Sequence, residues 1–128
     1  MSIKVEVSWG ELVDKITILQ IKAERIQDAG KVANVNRELQ ALDAERRRAL
    51  ALDPGAAELE RQLKAVNEAL WDIEDEIRDC ERRKDFGPRF IELARAVYVT
   101  NDRRMLIKRQ VNELLGSSLI EEKSYQAY

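Results

Sequence analysis

Asn67, Trp71, Glu74 and Arg78 fall at intervals of four, three and four, which on a helix lines an amide, an indole, a carboxylate and a guanidinium along one stripe. Further on, Tyr98, Asn101, Asp102, Met105 and Lys108 share one side of a second segment. There Thr100, Asn101 and Arg104 interrupt an apolar face where a plain helical bundle would want leucine. If a hairpin brings the two stripes together, they offer both charges and two amides, a set suited to a small anionic ligand or a protein partner. The competing expectation is an ionic network that fixes helix register. Spacing does not choose, because Arg78 and Lys108 can hold a phosphate or merely Glu74 and Asp102.

A second set of residues suggests metal chemistry. Glu11/Asp14 and Glu76/Asp79 are E-x-x-D pairs, and they resemble the carboxylate motifs through which all-helical nucleoside-triphosphate pyrophosphohydrolases bind magnesium. That resemblance implies an alternative function, a magnesium-dependent nucleotide or nucleotide-sugar hydrolase with Glu11, Asp14, Glu74 and Asp75 as metal ligands and Asp102 as a further ligand or base. Against it, Asp72, Asp75, Glu76 and Asp79 lie on the side of their helix opposite Trp71 and Glu74 and read as a solvated face. The bundle-module reading requires no cofactor, and magnesium enters only with the hydrolase alternative.

Other chemistries are excluded by composition. The 128 residues contain no histidine, which removes His bases, His-activated nucleophiles and His metal ligands. The single cysteine, Cys80, can form no internal disulfide; it continues an apolar seam and reads as a buried structural thiol in a reducing compartment. Lys and Arg number 22 against 24 Asp and Glu, so no global positive field favours nucleic acid, and the 5% aromatic content supplies no stacking platform for bases. No stretch approaches 18 apolar residues and no apolar run of signal-peptide length opens the sequence. The expectation is a cytoplasmic protein without membrane insertion.

The elements that must position these residues are helices. With 45% apolar and 36% charged residues the chain can bury a core, and its length suits one domain, residues 1–128. Gly30, Pro54-Gly55 and Gly87-Pro88 divide it into four segments. Ser8-Trp9-Gly10-Glu11 has the form of a capping box, in which the Ser8 hydroxyl takes the Glu11 amide and the Glu11 carboxylate returns to the Ser8 amide. From there Leu12, Ile16, Leu19, Ala23 and Ile26 make one seam of a helix expected to end near Gly30, with Ile18 and Ile21 off that seam. A second helix is expected over about 34–52, with Val35, Leu39, Leu42 and Ala49 inward and Arg46 in the remaining seam position. A third, over about 56–84, carries Leu59, Leu63, Val66, Leu70, Ile73, Ile77 and Cys80 at 3.5-residue spacing, which predicts shallow-angle packing of the coiled-coil kind. A fourth follows Pro88, placed for a first turn, and stops near Leu115 before Gly116.

The expected fold is therefore all-α, a long antiparallel helical hairpin or bundle of about four helices. In residues 1–7, Ile3, Val5 and Val7 alternate with Lys4 and Glu6, which predicts a short extended strand or arm that lies along the helices or pairs with a second copy. Residues 116–128 form a C-terminal arm. The additional apolar residues of the first helix predict that it is sandwiched between neighbours and suggest a homodimer.

Three blocks of the chain, SWGELVDKITILQIKAERI, NEALWDIEDEIR and FIELARAVYVTNDRRMLIKRQVNELLGSSLIEEKSY, resemble a bacterial family of short all-helical proteins, the domain of unknown function 6165. The shared blocks are G-E-L-x-D-K-I-T-I-L and N-D-x-R-x-x-I-K, the latter running here from Asn101 to Lys108. The resemblance implies no reaction. It implies a link to cell-surface polysaccharide biosynthesis, through genes lying near lipopolysaccharide or glycosyltransferase genes. It also draws attention to Glu11, Asp14, Lys15, Asn67, Trp71, Glu74, Asp75, Arg78, Asn101, Asp102, Arg104 and Lys108, which overlap the stripes found by periodicity. The function expected from residues and resemblance together is a non-catalytic, dimeric interaction, scaffold or small-ligand-binding module.

Overall fold

The computed structural model describes residues 1–128, which fold into four helices and no strand: α1 (Trp9–Arg25), α2 (Ala29–Leu52), α3 (Gly55–Arg82) and α4 (Pro88–Leu115). α1 begins where the Ser8 hydroxyl accepts the Glu11 amide at 3.1 Å. Only half of the expected capping box forms. The Glu11 carboxylate accepts instead from the Lys108 ammonium at 2.8 Å, a charged donor that outcompetes a backbone amide.

The first break lies four residues earlier than Gly30 suggested. α1 stops at Ile26, whose backbone is extended, and the Asp28 carboxylate caps α2 by accepting the Lys31 amide at 2.9 Å. Gly30 sits inside the first turn of α2, so α2 starts well before Asn34. α3 ends in a Schellman turn, with the Asp85 amide on the Cys80 carbonyl and the Lys84 amide on the Glu81 carbonyl. Lys84 there takes the left-handed conformation, φ 55°, that glycine normally occupies. Pro88 opens α4 and Gly116, φ 65°, closes it, as the sequence predicts.

Two antiparallel hairpins, α1–α2 and α3–α4, are joined so that α1 lies in the groove of the second and packs against all three other helices. Val13, Leu63, Val66, Ile107 and Val111 form the core where α1, α3 and α4 meet. Ile21 is buried inside the chain. Of the two apolar residues off the α1 seam, Ile21 is thus taken up by the packing within one chain, while Ile18 stays half-buried.

α1 has 17 residues and α3 and α4 have 28 each, roughly 25 Å against roughly 42 Å of helix. Its last residue, Arg25, pairs with Asp72 at 2.6 Å. Ile73 and Ile77, in the later half of α3, are only half-buried, while Leu63 and Val66, packed against Val13 of α1, are enclosed. Cys80 is nevertheless buried between α3 and the start of α4. Residues 1–7 are exposed and form no strand. No helix is long and apolar enough to cross a membrane.

Candidate functional site

The two polar stripes meet through a residue of neither. Asp14, on α1 and 1% exposed, receives Asn67 Nδ2 of α3 at 2.9 Å and Arg104 Nε of α4 at 2.9 Å on one oxygen, and Arg104 Nη2 on the other. Asn67 Nδ2 also donates to Thr17 Oγ1 at 2.9 Å, and that hydroxyl donates to the Asp14 carbonyl. One turn along α4, Lys108 is 5% exposed, and its ammonium donates to Glu11 at 2.8 Å and to Glu121 of the C-terminal segment at 2.9 Å.

This arrangement needs a close approach of α1 to α4. Gly10 supplies it: its amide donates to Asn112 Oδ1 at 2.7 Å, and a Cβ there would sit 2.4 Å from the Lys108 carbonyl oxygen. The network sets the carboxylates of Asp14, Glu11 and Glu121 against the cations of Arg104 and Lys108 and leaves no buried side-chain polar atom without a partner. Arg104 is held above its ordinary pKa chiefly by the hydrogen bond to Asp14, against the cost of burial. For Lys108 burial is the largest influence and opposes the charge. The hydrogen bonds to Glu11 and Glu121 outweigh it, so its pKa also rises.

The outer half of the stripe is different. Trp71, Glu74 and Arg78, with Ile18, Ile21 and Lys22 of α1, line an open cleft of about 430 Å³ that Asn67 and Arg104 floor. Arg78 bonds its own helical neighbour Glu74 at the exposed rim, and the Arg25 guanidinium stands 5.9 Å from the Trp71 ring centroid. Lys22 makes no ion pair within the chain, although its neighbour Arg25 is paired with Asp72. On α4, Asn101 accepts from Arg104 at 3.3 Å, whereas Asp102 faces away and takes the Tyr128 hydroxyl. The candidate residues Asn67, Trp71, Glu74, Arg78, Asn101, Asp102, Arg104 and Lys108 therefore divide three ways, between a buried network, an open cleft and a surface covered by the C-terminal segment.

The carboxylates considered as magnesium ligands do not assemble. Glu11 is paired with Lys108, Asp14 is paired with Arg104 and accepts from Asn67, and Glu74 is paired with Arg78, while Asp75 stands on the cleft's edge. No three Asp, Glu, Cys or His side chains are placed to share a metal ion. Both Asp14 oxygens already accept protein donors, so this donor set does not fit the cation, and no step is derived through it.

Sequence reasoning found Asn67, Arg104 and Lys108 but missed Thr17, Asn112, Glu60 and Glu121. Glu60 is buried between α1 and α2, taking Arg46 Nε at 2.9 Å and Gln20 Nε2 at 3.1 Å. Arg46 breaking an apolar seam was the one signal pointing to it. The family model described as a family of unknown function (DUF6165) matches residues 3–128. The chain belongs to that family. No curated protein and no solved structure matches this DUF6165 chain.

Proposed function

We propose that this DUF6165 protein is a non-catalytic binding module whose open site is the Trp71 cleft. One observation carries the reading: the stripe's buried cations are fully engaged inside the chain, whereas the cleft combines an indole and the half-buried apolar side chain of Ile18, backed by the buried Ile21, with the unpaired ammonium of Lys22. Such a set takes a small ligand with a flat or apolar part over Trp71 and an anionic group at Lys22 and Arg78. The link to cell-surface polysaccharide biosynthesis that the family resemblance implies, through neighbouring genes alone, makes sugar nucleotides, which have both parts, the first class to try. The Asp14 network is the frame that fixes the cleft's three walls.

The test is thermal unfolding with and without uridine and guanosine diphosphate sugars, on the wild type and on Lys22→Ala and Arg78→Ala. A ligand at about 100 times its Kd adds about 2.7 kcal/mol of stability. The expected result is a stabilisation that both substitutions remove while leaving the unliganded melting temperature nearly unchanged, since neither side chain is buried. A stabilisation of equal size in both variants would place the ligand elsewhere.

A further inference from the structure

Ile3, Val5 and Val7 are 83%, 72% and 50% exposed, and the segment 1–7 makes no backbone hydrogen bond to the body of the protein. An extended segment with apolar residues on one face and unpaired amides and carbonyls along both edges is a template for strand pairing. This chain contains no strand to pair with it.

The charges select both a partner and a register. In an antiparallel pairing centred on Val5, the partner's Val5 lies opposite Val5, the partner's Val7 opposite Ile3 and the partner's Glu6 opposite Lys4. Every apolar residue then meets an apolar residue, and both charge pairs are of opposite sign. A slip of one residue sets valine against glutamate and turns the apolar face outward. A slip of two opposes Lys4 to the partner's Lys4, or Glu6 to the partner's Glu6. A parallel, in-register pairing opposes like charges at both positions.

A two-stranded ribbon alone is marginal in water and requires an apolar surface beneath it. The end of the bundle from which the segment leaves supplies one. The start of α1, the end of α2, the start of α3 and the end of α4 gather there. The Trp9 amide bonds Ser117 Oγ at 3.3 Å, and Leu52, Leu114 and Leu119 remain 61%, 39% and 42% exposed.

We infer that a second copy of this chain is the partner of residues 3–7, the two segments forming an antiparallel ribbon about a twofold axis at Val5, seated on the leucine rim of the bundle end. The test is sedimentation velocity on the full chain over a range of concentrations, with Lys4→Glu, Glu6→Lys and the double variant. All the changed side chains are exposed, so the fold is undisturbed.

The wild type is expected to dimerise reversibly, and each single variant to dimerise at least about tenfold more weakly, because like charges then face each other twice. An equimolar mixture of the two single variants restores association as a one-to-one pair, and the double variant restores the homodimer. A monomeric wild type, single variants that associate as the wild type does, or a mixture no stronger than its components would overturn the inference.

Discussion

Asp14 ties three helices together through one buried carboxylate. It accepts from a helix on each side and is 1% exposed. Asp14→Asn keeps the shape but leaves the Arg104 guanidinium without its counter-charge, and is expected to cost about 3 kcal/mol in urea unfolding with an unchanged slope. Gly10→Ala tests the close approach directly. Its new methyl meets backbone rather than a mobile side chain, so α1 must shift, at an expected cost of about 1–3 kcal/mol. Periodicity made Asn67 and Lys108 legible, since each falls on a stripe of polar side chains at helical spacing. Thr17 and Asn112 were not legible, because one polar residue among apolar neighbours carries no period, and Asp14 was read as a metal ligand because its cationic partners lie about 90 residues away in the chain.

Among the elements, the turn between α3 and α4 invites improvement. Lys84 holds a left-handed conformation without hydrogen-bonding compensation from its side chain, so Lys84→Gly is expected to raise stability by about 1 kcal/mol, read as a rise of a few degrees in Tm. The C-terminal segment is expected to respond to pH. The hydrogen bond to Lys108 holds Glu121 below its ordinary pKa of 4.5. Its contribution is therefore present above that value and is lost as pH falls through the lower folded value. Lys108, raised above 10.5, contributes below that pH and loses its contribution as pH rises through the higher folded value. The expected result is release of the segment from α4 in acid, seen as narrowing of its NMR signals, and Glu121→Gln should weaken that acid dependence, leaving the part carried by the Arg109–Glu122 pair and the Tyr128–Asp102 bond. Helix ends marked by Ser8, Pro88 and Gly116 were plain in the sequence. The α1–α2 break was not, because Gly30 is a louder signal than Asp28, yet the carboxylate of Asp28 does the capping.

At the scale of the whole molecule, the unbroken heptad seam of α3 announced the long hairpin with α4, and the apolar excess of α1 announced its central position. The same excess pointed to a dimer, for which the self-complementary segment 3–7 supplies a different reason. What no pattern could give is which half of the polar stripe faces solvent. That depends on the path of α1, whose Asp14 and Thr17 close over Asn67 while its Ile18 and Lys22 form only one wall of the Trp71 cleft.

The division between a closed frame and an open cleft is most directly tested by NMR titration of the ¹⁵N-labelled protein with diphosphate sugars. Its two tryptophans give two indole N–H signals, one at each end of α1's path: Trp9 beside Arg48, Trp71 in the cleft. The expected result is a saturable shift of the Trp71 indole, assigned with Trp71→Phe, while Trp9 and the amides around Asp14 stay in place. Saturable shifts centred on Lys108 and the C-terminal segment with Trp71 unmoved, or no shift with any member of the series, would contradict it.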